Sequence, residues 1–491
     1  MRRFFVARGA FGLGVALLLT AANGFAQAGA LREAQPKATP AATPTATPPA
    51  SLAVPHPATP GVTPAQTPAP SPSPSPAATP APSPAVVAAT LYEDASKYVE
   101  RKFDEFKEKR MPFSRALATK TFQEQRELAA RHAAALVARA NLAGADHYYL
   151  GLLYNLAGKS AESIEPLRRF LTLESKGTTE QLQNARLTLG AAVVALKRFD
   201  EAERILADYA RLEHATPQGL FKLHHALARA YLADKKIERS VSHAGVAFKV
   251  AKESPVTAGD ESDRAQIIGA AAEFLADVLL ESKQDAEAAA TMEELLRLSL
   301  SLPSAQIFAG AARWLAINEQ EKTIERVLNE TPPADAAAAT APEINIAEWI
   351  DHKPVKLSDL RGRVVLLDFW ATWCGPCRVT MPKLKTLHER FKKDGLTVIG
   401  LTQFFGRDGR TPLTPQEELA HLRSYKKELK LPYAFAVASD EDNDVRYGVR
   451  SIPTAFLLDR RGRVRYISVG ASEEGHESLA AVIDKLLAEK P

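Results

Sequence analysis

The sequence predicts a multidomain protein in which an α-helical solenoid and an α/β domain follow a disordered, proline-rich linker. Three observations lead to this prediction. About half of the 33 prolines in the 491-residue chain lie before residue 91. The middle of the chain is rich in Ala and Leu, and its apolar residues recur at helical spacing. In the last third, strand-like and helix-like segments alternate, which is typical of an α/β domain.

Composition excludes several classes of protein. Hydrophobic residues make up 46% of the chain and charged residues 24%, which are ordinary values for globular domains. The net charge of +4, from 62 basic and 58 acidic residues, is too small to indicate binding of nucleic acid. Two cysteines cannot form the framework of a disulfide-rich scaffold. No long apolar run follows the first thirty residues, which excludes a polytopic membrane protein.

The first 28 residues have the features of a secretory signal peptide. Arg2 and Arg3 give a basic start, Gly9–Ala22 is apolar, and Ala26-Gln27-Ala28 offers a cleavage site. We therefore expect export to the periplasm or another extracytoplasmic compartment. An uncleaved signal that anchors the protein in the membrane is the alternative.

Residues 29–90 are predicted to form a disordered linker. No charged residue occurs between Lys37 and Glu93, and the segment consists almost wholly of Ala, Thr, Pro and Ser. Such a composition cannot bury enough apolar area to offset the entropy lost on folding. Proline stiffens the chain toward polyproline II, at about 3.1 Å per residue. The segment is thus expected to act as a spacer.

Residues 91–330 are predicted to form a helical repeat domain. Four helix–turn–helix units recur, and each second helix opens with a small residue at about 38- to 48-residue intervals: Ser163, Ala202, Ser240 and Ala288. The first two units resemble tetratricopeptide repeats at Gly151, Tyr154, Leu189, Gly190, Phe199 and Ala202. This resemblance implies a solenoid whose curved surface binds a peptide or protein. A domain that only organises or dimerises the chain is the alternative. His224 and His225 are interpreted as packing or surface residues, because adjacent helical positions do not converge on a metal ion.

The segment Thr331–Pro342 breaks the helical pattern, and residues 341–491 are predicted to form an α/β domain. The expected strands are Arg363–Trp370, Leu396–Thr402, Ala434–Ala438, Thr454–Leu458 and Val464–Val469. The expected helices are Gly375–Lys393, Gln416–Leu429 and a terminal helix from about Glu474. This order predicts one sheet with helices on both faces.

The two cysteines lie between the first strand and the first helix of this domain, in Trp373-Cys374-Gly375-Pro376-Cys377. At a helix start, unpaired backbone N–H groups and the helix dipole favour a Cys374 thiolate. Two intervening residues bring Cys377 within reach of a disulfide. This pattern predicts a redox pair rather than a zinc site, which needs more ligands, or an inert disulfide. No cofactor or metal is expected.

The segments LLDFWATWCGPC and GVRSIPTAFLLD resemble thioredoxin and the exported TlpA-like thiol–disulfide oxidoreductases. The resemblance implies a thioredoxin fold, a redox disulfide Cys374–Cys377, and a cis-proline at Pro453 that faces the cysteines. It also implies that Asp368 relays protons for Cys377, which suits a carboxyl group whose pKa is raised in an apolar strand. The residues expected to contact substrate are Trp373, Gly375, Pro376, Ile452 and Pro453.

The sequence departs from this family at two positions. Many TlpA-like proteins have an acidic residue where this chain has Thr380, and the lysine beside the buried acid of thioredoxin falls near Gly400. Asp368 is therefore expected to lack a charged partner. Ala371 stands where a peroxidase of a related fold needs a hydroxyl group, which excludes that activity.

These expectations combine into an exported reductant that attacks disulfides of client proteins through Cys374. Its electrons would come from a membrane-embedded thiol donor, and its helical repeats would recruit partners. The direction of electron transfer stays open, since it depends on the potentials of the partners. A binding protein, whose repeats carry the function and whose thioredoxin domain only docks, is the alternative.

Overall fold

The computed structural model describes residues 88–109, 111–112, 114–139, 141–172, 177–254, 261–330, 340–409 and 411–489. The predicted signal peptide, and the linker up to residue 87, lie outside the described residues. Among the described residues, no helix is both long and apolar enough to cross a membrane.

The first part of the described chain is entirely helical. Its thirteen described helices are α1 Ala88–Ser96, α2 Tyr98–Glu108, α3 Arg115–Val137, α4 Gly144–Leu156, α5 Ser160–Thr172, α6 Thr179–Ala195, α7 Phe199–Ala210, α8 Pro217–Ala233, α9 Ile237–Glu253, α10 Glu261–Glu281, α11 Asp285–Ser301, α12 Ala305–Ile317 and α13 Glu321–Asn329. The four predicted helix–turn–helix units correspond to α4–α5, α6–α7, α8–α9 and α10–α11. A fifth pair, α12–α13, was not predicted.

Each of the five pairs turns through one residue with a positive φ. These turn residues are Gly158, Lys197, Lys235, Lys283 and Glu319, with φ between 56° and 75°. Glycine adopts this left-handed conformation most easily, and here it occupies only the first turn. The small residues that open the second helices are all buried, since Ser163, Ala202, Ser240 and Ala288 are at most 1% exposed. Small side chains at these positions let the paired helices approach closely.

The second part is an α/β domain with a six-stranded sheet. Its strands are β1 Glu348–Ile350, β2 Val364–Phe369, β3 Leu396–Gln403, β6 Ala434–Ala438, β7 Thr454–Leu458 and β8 Val464–Val469, in the order β1-β6-β3-β2-β7-β8. Strands β2, β3 and β6 are parallel, and the remaining pairs are antiparallel. A hairpin, β4 Arg407–Asp408 and β5 Thr411–Pro412, stands apart from this sheet. The helices are α14 Gly375–Phe391, α15 Pro415–Glu428, α16 Asp442–Arg446 and α17 Glu473–Ala488, with a 3-10 helix at Leu357–Leu360.

The predicted fold class is confirmed, and the long strands and helices lie where the sequence predicts them. The structure adds the edge strand β1, the β4–β5 hairpin and α16, which the sequence analysis did not predict. These elements are short, so they carry little periodic signal.

The two faces of the sheet are covered differently. On one face, Leu366, Trp370 and neighbouring strand residues pack against apolar side chains of α14, α15 and α17. On the other face, Leu367 and Phe369 belong to a hydrophobic cluster that continues into α10, α11 and α12. The prediction of helices on both faces is therefore correct, but the repeat domain supplies part of the cover on the second face.

Polar contacts also join the two domains. The Arg465 guanidinium, which is 3% exposed, donates to the carbonyl oxygen of Glu330 at 3.2 Å, just beyond α13. It also pairs with the Glu489 carboxylate at 2.9 Å, just beyond α17. Because Arg465 lies on β8, this one side chain ties the end of the repeat domain to the end of the chain.

Candidate active site

The two cysteines form a disulfide at the start of α14. Their Cα atoms are 5.3 Å apart. Cys374 is the N-cap residue of the helix, and its Sγ accepts a hydrogen bond from the backbone N–H of Cys377 at 3.2 Å. Cys374 is 4% exposed and Cys377 is fully buried. The N–H of Cys377 therefore donates to the sulfur of Cys374, the less buried of the two cysteines, and would stabilise its thiolate.

The loop that ends in Pro453 lies at the same edge of the sheet as the cysteine pair. The Ile452–Pro453 peptide bond is cis. Thr454, the next residue, pairs with Phe369 across β7 and β2, and the chain runs from Phe369 through four residues to Cys374. Antiparallel pairing thus brings the start of β7 beside the end of β2. The topology brings the cysteine pair and the loop that ends in Pro453 to one edge.

Asp368 is 2% exposed and lies on β2. By the alternation of the strand, its side chain shares the face of Leu366 and Trp370, which is the face covered by α14. Its Oδ2 atom has no hydrogen-bond partner among the described residues. Burial away from water raises the pKa of this carboxyl group from 3.8 to about 8. Asp368 is therefore mainly protonated at neutral pH in the disulfide form.

Gly400 pairs with Asp368 across β3 and β2. A Cβ atom at Gly400 would meet the indole Nε1 of Trp370 at 2.9 Å and the Phe435 ring at 3.1 Å. The space that a side chain at position 400 would need is therefore filled by aromatic rings. This packing explains how the fold accommodates a glycine there.

Thr380 occupies the other position where the chain departs from the family pattern. Its hydroxyl group donates to the carbonyl oxygen of Cys377 at 3.0 Å, within the helix. The neighbouring Arg378 donates to the carbonyl oxygen of Thr372 at 3.0 Å. These two bonds fix the backbone on both sides of the cysteine pair.

The residues predicted to contact substrate differ in exposure. Gly375 and Pro376 are exposed in the first turn of α14, Trp373 and Ile452 are half-buried, and Pro453 is buried. The side chain of Ile452 packs against both hydrophobic clusters of the domain. The structure brings all five to the same edge of the sheet as the disulfide.

Sequence reasoning missed a group that contacts Trp373. The ring of Phe405 meets the Trp373 indole edge to face, with centroids 5.3 Å apart, and the Arg407 guanidinium lies 5.7 Å from the indole. The carboxylate of Glu418, on α15, accepts hydrogen bonds from the backbone N–H groups of Phe405 and Gly406, both at 2.9 Å. Glu418 is 4% exposed, and nothing in the sequence distinguishes it from Glu417 beside it. The segment between β3 and α15 thus packs against Trp373, next to the cysteine pair.

The adjacent histidines of the repeat domain take part in packing. His224 Nδ1 lies 3.0 Å from His243 Nδ1, and His243 Nε2 lies 3.0 Å from the Glu203 carboxylate. The ring of His225 packs against Phe221 with centroids 5.4 Å apart. Within the described residues, no group of three or more His, Cys, Asp or Glu side chains is arranged to hold a metal ion.

Comparison with known proteins places the C-terminal domain. Residues 336–483 match the family described as Redoxin. Thiol-disulfide oxidoreductase ResA of Geobacillus kaustophilus (strain HTA426) is 31% identical over 139 residues, 28% of this chain and 71% of the relative. ResA of Bacillus cereus (strain ZK / E33L) is 29% identical over 137 residues, again 28% and 71%. A crystal structure of a putative thiol:disulfide interchange protein DsbE from Chlorobium tepidum has 29% identity, covers 30% of this chain and 96% of that one, and has a TM-score of 0.26.

The residues that match the redoxin family include the cysteine pair. Through this C-terminal domain, the chain belongs to the redoxin family and is a thiol–disulfide oxidoreductase.

Proposed function

We propose that this oxidoreductase is exported and reduces disulfides in client proteins. The single observation that best supports the proposal is the placement of the cysteine pair. Cys374 caps α14 where the Cys377 amide donates to its sulfur, while Cys377 is fully buried. One sulfur is thus suited to attack a client, and the other is suited to act only within the protein.

The reaction follows from this arrangement. The Cys374 thiolate attacks one sulfur of a client disulfide, which breaks, and the other client sulfur leaves as a thiolate that takes a proton from solvent. Cys377 then loses its proton and attacks Cys374 Sγ, which breaks the mixed disulfide and releases the second client sulfur as a thiolate that takes a proton from solvent. Two electrons pass from the protein to the client, and the protein ends as the disulfide.

Asp368 is proposed to accept the proton of Cys377 and later to return it. Asp368 takes this proton in its carboxylate form, and because burial raises its pKa to about 8 in the disulfide form, the proton then stays on the carboxyl group at neutral pH. When the disulfide is reduced again, the same proton is available to the departing Cys377 thiolate. The carboxyl group is therefore suited to both halves of the cycle.

The setting of the reaction is part of the proposal. The basic and apolar start of the sequence supports export to an extracytoplasmic compartment. Such compartments favour disulfides, so a reductant there needs electrons from a membrane-embedded thiol donor. Both cysteines of the chain belong to the active pair, which avoids exchange with other thiols of the same protein.

The helical pairs are proposed to be tetratricopeptide-like repeats that recruit a peptide or protein partner. Five pairs follow one another with the same turn conformation, which supports a repeated unit. Successive pairs of this kind stack and leave a curved surface.

Trapping of mixed disulfides tests the proposal. In the full chain, Cys377→Ser should retain clients on Cys374 as mixed disulfides, because the second attack is removed. The measurement is mass spectrometry of species released from the variant by dithiothreitol. Cys374→Ser is the matched control and should retain none.

Reduction of insulin by the wild-type full chain, with dithiothreitol as electron source, is the companion assay. Precipitation of the insulin B chain should be faster than with dithiothreitol alone. If no client is trapped and insulin reduction stays at background, the protein is not a client reductant. Partners bound by the repeats without any mixed disulfide would instead favour the binding-protein alternative.

A further inference from the structure

We infer that the last helix pair of the repeat domain holds the cis-proline loop in place, and that Gln306 on α12 is a positioning residue for reduction of client proteins. This inference rests on the proposed function. The loop in question is Tyr447–Pro453, which runs from the end of α16 to β7 and is named here the proline loop.

The start of the proline loop lies on the N-terminus of α12. The backbone N–H of Ala305 donates to the carbonyl oxygen of Tyr447, and that of Gln306 donates to the carbonyl oxygen of Gly448, both at 3.0 Å. The first N–H groups of a helix have no partner within it, and the helix dipole favours negative groups there. Two carbonyl oxygens of the proline loop therefore complete the end of a helix that belongs to the other domain.

A side-chain contact extends this attachment toward the active site. The Oε1 atom of Gln306 accepts a hydrogen bond from Nε of Arg450 at 3.2 Å. Arg450 is exposed and precedes Pro453 by three residues. The contact therefore fixes the loop next to the residues that are proposed to meet the client.

Gly448 shows how closely the domains approach. Its φ is +56°, and an added Cβ atom would meet Ser304 Oγ at 2.5 Å and Ser304 Cα at 3.3 Å. Ser304 is itself the N-cap residue of α12 and is 2% exposed. A side chain at position 448 would thus push the proline loop away from the repeat domain.

The far end of the proline loop is held by its own domain. The hydroxyl group of Thr454 donates to the carbonyl oxygen of Ser451 at 2.7 Å, and the N–H of Gly470 donates to the carbonyl oxygen of Pro453 at 2.9 Å. The loop is therefore fixed by α12 at one end and by the sheet at the other. Loss of the α12 contact would let residues 450–452 shift while the cysteine pair stays in place.

A client polypeptide must lie along this loop to present its disulfide to Cys374, whereas a small disulfide needs only to reach the sulfur of Cys374. The inference therefore predicts a selective defect. Gln306→Ala in the full chain should raise KM for insulin relative to a small disulfide, 5,5′-dithiobis(2-nitrobenzoic acid), by about three- to tenfold, the equivalent of one lost hydrogen bond. Gln306→Glu keeps an acceptor for Arg450 and should restore the wild-type ratio.

Gln320→Ala is the matched control. Gln320 lies in the same helix pair and is the N-cap residue of α13. Its replacement should leave the ratio of the two substrates at the wild-type value. If Gln306→Ala lowers the rates for both substrates equally, or changes neither, the inference is wrong.

Gly448→Ala provides a second, independent test. It should raise the KM for insulin, relative to that for the small disulfide, further than Gln306→Ala does, because it displaces the loop backbone. Gly362→Ala is its control, since Gly362 also has a positive φ, +89°, but has no atom within 4 Å of the added Cβ. An equal effect of the two glycine substitutions on the ratio would count against the inference. Wild-type protein that reduces neither substrate would instead refute the proposed function itself.

Discussion

The two faces of strand β2 show how differently the two sides of this domain are built. Residues 364, 366, 368 and 370 face the domain's own helices, and they include the one carboxyl group, Asp368. Residues 365, 367 and 369 are all apolar, and they belong to the cluster that continues into the repeat domain. The face with the chemistry is thus covered from within the domain, whereas the other face depends on a second domain.

This difference predicts that substitutions on the Leu367 face change stability without changing the chemistry of the cysteine pair. Substitution of Asp368 should change rates and also the pH dependence of both rate and stability. Substitutions on the Leu367 face should change the free energy of unfolding and the link to the repeat domain.

Removal of the repeat domain should have the largest effect. A fragment of residues 341–491 would expose the apolar side chains that α11 and α12 cover, including those near β8. Exposure of a large apolar surface opposes folding and favours aggregation. We expect the fragment to be insoluble or to lack a cooperative thermal transition by circular dichroism. A fragment that unfolds cooperatively at the temperature of the full chain would show that the sheet does not depend on the repeat domain for its stability.

Leu367→Ala should destabilise the full chain by about 2 to 5 kcal/mol, as expected for a cavity in a core. Leu367 is fully buried. Urea titration would measure the change in the free energy of unfolding. The reduction potential of the cysteine pair should stay at the wild-type value, because this side chain points away from it. A shifted potential in the folded variant would show that the two faces are not separable.

Asp368→Asn should slow reduction of insulin about a hundredfold at pH 7, which is about 2.7 kcal/mol in the barrier. Asparagine cannot take the proton of Cys377. Stopped-flow measurement of the second exchange step would test this. A rate within twofold of the wild type would exclude Asp368 as the proton acceptor.

The same variant should change how stability depends on pH. The pKa of Asp368 is raised from 3.8 to about 8 in the folded protein, so the folded state holds this proton more tightly than the unfolded state. The contribution is fully present below about pH 4 and is lost as pH rises to about 8. Asp368→Asn should therefore be the more stable protein near pH 8, and the two should converge near pH 4. Thermal unfolding of the disulfide forms across this range measures the difference.

Glu418→Gln should have the smallest effect of this series. In the wild type, the backbone N–H groups of Phe405 and Gly406 each donate to one oxygen of the Glu418 carboxylate. In the variant, an amide N–H₂ group replaces one of these oxygens and cannot accept a hydrogen bond. We expect a loss of about 1 to 3 kcal/mol in the free energy of unfolding, and a KM for insulin raised by a few-fold. Glu428→Gln, at the exposed end of α15, should change neither quantity measurably.

Much of the α/β domain could be predicted from sequence, because its strands are continuous apolar runs bounded by turns. The bounds predicted for β6, β7 and β8 are those observed. The strand β1 was missed because three residues carry no period. The pair α12–α13 was missed because Ile324 stands where the second helices of the other pairs have a small residue, five positions after the turn.

The part of the site that came from the cysteine motif was predictable because its spacing reflects a helix start. The parts that depend on tertiary contacts were not. Nothing in the sequence indicates that Phe405 meets Trp373, or that Gln306 contacts Arg450 144 residues away. The apolar stripe of α12 indicates that one side of this helix is buried, but it does not identify the sheet as the element that covers that side.

Redox titration with thiol alkylation tests the central claim most directly. The full chain is equilibrated with dithiothreitol buffers of graded potential, and free thiols are tagged with a maleimide that adds mass. The account predicts one two-electron transition in which both Cys374 and Cys377 become tagged together. If neither thiol changes its state across the accessible range of potentials, the pair is an inert disulfide and the account is contradicted.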